Sequence, residues 1–153
     1  MRSKLFFLGL LIILGWTNSQ IFFKERHRAT ASTLLLELAP VDPRSLIQGD
    51  YMILRYRLSG EVASSSDSGV LYLKPDAKGL VTQVSEPNTP GSVKLKYRRH
   101  RGQIKFGIES YLFQEGMASV FQGGKYSEVK VSEDGTPSLI RLLDKDFKPL
   151  GEL

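Results

Sequence analysis

The stretch Tyr51-Met52-Ile53-Leu54-Arg55-Tyr56-Arg57-Leu58 decides the fold class. Side chains on an extended chain alternate between its two faces, so Met52, Leu54, Tyr56 and Leu58 share one face and Tyr51, Ile53, Arg55 and Arg57 the other. The spacing predicts a strand over 51–58, with the first set against a core and the arginines toward solvent. The residues ahead of it form a turn with its own chemistry. Asp42 suits an N-cap, Pro43 the first helical position, Ser45-Leu46-Ile47 completes one turn, and Gly49 supplies a positive φ where the chain re-enters a strand.

Upstream, Thr33-Leu34-Leu35-Leu36-Glu37-Leu38 is apolar, short and closed by Pro40, the pattern of a largely buried strand. Downstream, beyond a Ser, Gly and Asp-rich loop over 59–69, Val70 to Lys74 and Leu80 to Val84 read as a hairpin around Pro75-Asp76-Ala77-Lys78-Gly79. A second hairpin pairs Val93 to Arg98 with Gln103 to Gly107 through Arg99-His100-Arg101-Gly102. Its polar face is nearly all cationic: Lys94, Lys96, Arg98, Arg99, Arg101 and Lys105 carry no acid among them. Ile108 to Gln114 begins as a strand, and Glu115 to Phe121 suits one short helix, although Gly116 lowers the propensity there. Strands over 126–131 and 138–143 complete the pattern. About eight short strands at close spacing, with one short helix, predict a mainly β domain, an antiparallel sandwich or partly closed barrel.

The N-terminus is of another kind. Arg2 and Lys4 precede an apolar run from Leu5 to Trp16, a polar quartet Thr17-Asn18-Ser19-Gln20, then Ile21-Phe22-Phe23 and the charged Lys24-Glu25-Arg26-His27-Arg28. Read as a cleaved leader, it has the basic start and apolar core but no small-x-small cleavage site. Read as an anchor, Leu5 to Phe23 comes close to the ~20 residues a transmembrane helix needs. The apolar triplet after the quartet favours the uncleaved anchor. The chain thus divides into a membrane anchor with its juxtamembrane segment, residues 1–30, and a β domain, residues 31–153. Lysine and arginine are balanced across the span, so charge bias hardly orients it; signal-anchor logic favours a domain outside the cytoplasm. The 153 residues leave room for one core.

Composition removes several chemistries. With no cysteine, disulfides, thiolate catalysis and cysteine-held metal clusters are excluded. His27 and His100 are the only histidines and sit far apart, so no paired-histidine metal site arises. Phosphate-cradling glycine motifs are absent; Gly123-Gly124-Lys125 lacks the spacing and the following hydroxyl. The net charge of +5 is too diffuse for nucleic acid, yet favours anionic lipid or another acidic surface. No cofactor is expected.

Gly49-Asp50-Tyr51-Met52-Ile53-Leu54-Arg55-Tyr56 fits the motif that names the GDYXXLXY family, and the chain resembles that family also at Pro40 to Arg44, at Phe106 to Tyr111 and at Glu115-Gly116. It departs from the family's pattern at Leu112-Phe113-Gln114. The resemblance implies a bacterial, membrane-associated protein of unassigned activity, placed at the inner membrane with polytopic membrane proteins as partners.

Two readings of the polar residues follow. In one, Asp42, Arg44, Asp50, Glu109 and Glu115 converge at one end of the sheet, with Tyr51 or Tyr111 as a wall and Tyr56 of the motif facing inward; carboxylates near an arginine can bind a cation or do acid-base work. In the other, each serves turn chemistry: Asp42 caps, Arg44 pairs with a carboxylate, and Asp50 bonds turn amides. The second explains every residue without a substrate. A Gly-Asp pair opening a strand behind an anchor also resembles the β-fold of membrane-bound signal peptidases. Where that family has its nucleophilic serine this chain has Val41, so Lys94, Lys96 and Lys105 have no aligned serine to activate. The basic hairpin reads either as a solvated, edge-protecting face or as a surface for anionic headgroups. The expectation is an accessory or binding module without catalysis; the alternatives are an envelope hydrolase with a carboxylate site, or a lipid-binding module.

Overall fold

A computed structural model describes residues 9–20, 22, 31–39, 51–62 and 66–151. The turn expected ahead of the motif strand, with Asp42, Arg44 and Asp50, lies outside the described residues. Among the described residues, the β domain contains ten strands in two four-stranded sheets and a two-stranded ribbon. The first sheet has the order β10 (Pro137–Leu143), β9 (Tyr126–Val131), β1 (Ser32–Glu37), β4 (Leu80–Val81). The second runs β5 (Val84–Ser85), β3 (Ser68–Leu73), β6 (Val93–His100), β7 (Gln103–Lys105). The ribbon joins β2 (Tyr51–Ile53) to β8 (Ser110–Leu112). Two short helices, α1 (Arg57–Glu61) and α2 (Ala118–Phe121), complete the domain.

One apolar core serves all three layers. Leu34 and Leu36 of β1, Leu71 and Leu73 of β3, Leu95 and Tyr97 of β6, and Val129 and Val131 of β9 are buried together with Met52, Leu54, Tyr56 and Leu58. The alternation at 51–58 holds at every position, since Tyr51, Ile53, Arg55 and Arg57 are exposed. The secondary structure beneath it differs from the expected strand. Pairing stops at Ile53, Tyr56 makes an isolated bridge with Leu38, and α1 begins at Arg57. Ser59 donates its hydroxyl to the Tyr56 carbonyl at 2.6 Å, which closes the first turn. A helical turn and a strand both bring Leu58 to the core, so a two-residue alternation cannot separate them.

The first expected hairpin is corrected. β3 pairs antiparallel with Val84–Ser85, while Leu80–Val81 crosses to the other sheet and runs parallel to β1. Asp76 drives the crossing. Its carboxylate accepts the Lys78 and Leu80 N–H groups at 2.8 Å each, and the Gly79 carbonyl accepts the Leu35 N–H at 2.8 Å. The second hairpin forms as the sequence predicts, with Arg101 (φ 49°) and Gly102 (φ 77°) as its two central residues. Two positive φ values in a two-residue loop match the right-handed twist of the flanking strands. The helix expected over 115–121 is confined to Ala118–Phe121.

Residues 9–20 are helical, and Leu10, Leu11, Ile12, Ile13, Leu14 and Trp16 are all exposed. None of them belongs to the core. Among the described residues, no helix is long and apolar enough to cross a membrane. The rest of the expected span, including Leu5 to Leu8, Ile21 and Phe23, lies outside the described residues.

Candidate functional site

The motif strand is held by the segment that follows β7. Met52 sits opposite Tyr111 and Tyr51 opposite Leu112 across the ribbon, and the Leu54 N–H donates to the Glu109 carbonyl at 2.7 Å. The buried Tyr56 phenol donates to the Ile108 carbonyl at 2.8 Å, and its ring meets Phe106 edge-on at 5.6 Å between centroids. Burial drives the Tyr56 pKa upward; the Glu109 charge pushes the same way, and the Ser127 hydroxyl works against both. Tyr56 is therefore a neutral hydrogen-bond donor at ordinary pH.

Glu109 has a local task. Its carboxylate accepts the N–H of Phe106 and, at 3.0 Å, that of Gly107, whose φ of +84° bends the chain between them. Two of the segments that carry the family resemblance, the motif and Phe106 to Tyr111, form one bracket: Tyr56 crosses to the Ile108 carbonyl and Glu109 fixes the loop that presents it.

The remaining described candidates, Glu115, Tyr111 and Tyr51, lie apart in role. Glu115 is exposed in a turn ahead of Gly116 (φ +83°). Tyr111 is half-buried with its ring edge-on to Phe121 at 5.1 Å, and burial raises its pKa against the opposing charge of Arg141. Tyr51 faces outward. Among the described residues, no group of three or more His, Asp or Glu side chains could hold a metal ion.

The basic hairpin is more nearly one surface. Lys94, Lys96 and Arg98 project from β6 on its exposed side, with Arg98 directly opposite Lys105 of β7. Arg101 lies in the turn. Arg99 departs from the expectation: it pairs with buried Ile104, half-buried on the opposite face, and its N–H donates to the Asp67 carbonyl at 2.7 Å. The fold also brings one acid to the cationic face. Asp134 accepts from Lys96 Nζ at 2.7 Å and from the Thr136 hydroxyl at 2.7 Å, and these bonds, Lys96 first, hold its carboxyl at about 2. The β9–β10 turn reaches β6 because the Lys96 N–H donates to the Gly135 carbonyl at 2.8 Å.

Two open clefts flank β7. One, of about 460 Å³, lies between the end of the motif and α1, with Arg55, Arg57, Lys105 and Glu109 in its walls. The other, of about 670 Å³, is bordered by Lys96, Arg98, Lys105 and Thr136. Lys105 lines both, so a run of positive charge passes from Arg55 of the motif to the face of β6. Sequence reasoning missed this junction and the Asp134 pairing; both join residues distant in the chain. Ser59, which shares the first cleft with Lys105, gives its hydroxyl proton to the Tyr56 carbonyl, while Lys96 and Thr136 are both turned to Asp134.

These features define a mainly β domain in which the motif strand is braced by a distant loop, whose backbone the Glu109 carboxylate holds. A family model described as GDYXXLXY protein matches residues 13–142, and the chain belongs to that family. No curated protein and no solved structure matches it.

Proposed function

We propose that the chain is a membrane-anchored binding module of the bacterial inner membrane, with its β domain outside the cytoplasm and a polytopic membrane protein as its partner, and that it does no chemistry of its own. The observation that carries this reading is the outward face of the β2–β8 ribbon. Tyr51 and Leu112 stand side by side there, with Ile53 beyond them, at 37%, 76% and 37% exposure. A contiguous apolar strip on a two-stranded ribbon costs solvation that a free surface recovers by covering it. Leu112 stands where the sequence departs from the family pattern, which suits a contact tuned to this chain's own partner.

Two further observations support the anchor and the absence of catalysis. In the N-terminal helix Thr17 donates to the Ile13 carbonyl at 2.8 Å and Asn18 to the Leu14 carbonyl at 2.8 Å. Polar groups that bond back to their own helix lose less on entering an apolar phase, so the quartet is compatible with the exit end of a span. A helix with exposed apolar side chains all round suits lipid better than water. Of the described candidate carboxylates, Glu109 bonds backbone amides and Glu115 is exposed in a turn, which is how a structural scaffold uses them.

The test is a photo-crosslinking amino acid at position 112 of the full chain in intact bacterial membranes. A single membrane-protein adduct, lost when Tyr51→Asp is added, is expected. Adducts that do not depend on Tyr51, or none at all, would overturn the assignment of the ribbon.

A further inference from the structure

We propose that the outward face of the β5–β3–β6–β7 sheet docks on an anionic phospholipid surface. This rests on the membrane-anchored reading above and names a second contact of the anchored domain. The pairing register lays the face out in rows. Ser68 stands opposite Arg98, which stands opposite Lys105; Val70 stands opposite Lys96; and Tyr72 stands opposite Lys94. The cations therefore alternate with one aliphatic and one aromatic side chain, and Val70 is 41% exposed.

Charge complementarity selects the occupant. Among the described residues, Lys94, Arg98, Arg101 and Lys105 make no ion pair; Asp134 is committed to Lys96, and Glu133 shares a small open cleft with Lys94. The positive run continues through Lys105 to Arg55 in the neighbouring cleft. The face carries its cations spread along β6 and β7, bordering an open cleft. It fits a fluid array of headgroups, to which each cation contributes independently, while tyrosine and valine between the charges suit the boundary of headgroups and acyl chains.

The absence of native cysteine allows a single reporter. Val70→Cys in the full chain carries an environment-sensitive fluorophore, and the protein is placed in nanodiscs of phosphatidylcholine alone or with phosphatidylglycerol. A blue shift is expected only with phosphatidylglycerol. High salt should reverse it, because exposed charges are screened. The combined Lys94→Glu, Arg98→Glu and Lys105→Glu variant should abolish it, and the milder Lys94→Gln, Arg98→Gln pair, which carries less risk to folding, should weaken it. If the chain binds phosphatidylglycerol vesicles without inserting, the triple reversal should lower recruitment by at least ~100-fold.

A chain that does not enter the discs contradicts the anchor. Salt-sensitive recruitment of the same labelled chain to those vesicles would still uphold the sheet face, and failure there would refute it. A label equally exposed with both lipids, or one that responds only after membrane proteins are added, overturns the lipid assignment. The latter outcome would give the face to an acidic protein.

Discussion

Tyr56 works as a buried brace whose one proton is spent on the Ile108 carbonyl. Tyr56→Phe keeps the ring and removes the donor, leaving that carbonyl short of a partner, and should destabilise the domain by about 1–3 kcal/mol in urea melts. The pH dependence follows from burial. The native pKa lies above the unfolded value of about 10, so this contribution is complete below pH ~10 and is lost as the pH rises beyond it. Half-buried Tyr111 adds to the loss in the same direction. Melts followed by circular dichroism should show stability falling above pH ~10 in the wild type and falling less steeply in Tyr56→Phe. Glu109 offers the clearest choice between site and scaffold at this scale. Glu109→Ala removes two backbone-to-carboxylate bonds and should cost about 1–2 kcal/mol, with Glu109→Gln recovering part of it. Equal stability of all three proteins would contradict the capping role. The inward and outward assignments at 51–58 were legible because alternation is a local property. The role of Glu109 was visible only as the turn-chemistry alternative, since the sequence does not say which amides it meets.

The second hairpin was legible as an element because its turn and its alternation agree. The first was not, because the partner of Leu80–Val81 is chosen by the Asp76 turn and by β1, more than forty positions upstream. Gly69 reads as loop, yet it pairs with Tyr97 inside the sheet. A Cβ there would lie 2.7 Å from the Tyr97 hydroxyl and 2.9 Å from its ring carbons. Since Tyr97 is buried and cannot swing freely, Gly69→Ala should cost about 1–3 kcal/mol, measurable in the same melts. The β9–β10 turn carries its own pH signature. Asp134 has its native pKa lowered to about 2 from the model-peptide value of 3.8, so its pairing with Lys96 supports the fold above the unfolded value and is lost as the pH falls from about 4 through 2. Asp134→Asn should flatten the acid limb of stability over that window and lower stability at neutral pH by the same amount, a small one because the pair is exposed.

For the molecule as a whole, composition and turn spacing were sufficient for a mainly β domain with one core, and the motif for its family. The division into two four-stranded sheets and a ribbon, the parallel β1–β4 pair and the cationic junction at Lys105 depend on which distant segments meet, and short strands leave that choice to tertiary packing. The same packing explains why the family motif looks like a site and is built as a bracket: Leu54 and Tyr56 are committed inward, and Tyr51 is left on the surface with Leu112. The most direct test of an anchored binding module is crosslinking of the full chain in its own membranes, followed by purification in mild detergent and mass spectrometry. A polytopic membrane protein at stoichiometric yield, lost with Tyr51→Asp and Leu112→Asp but retained in Glu109→Gln, is the expected result. A chain recovered alone, or a partner held equally by the ribbon variants, would contradict the account.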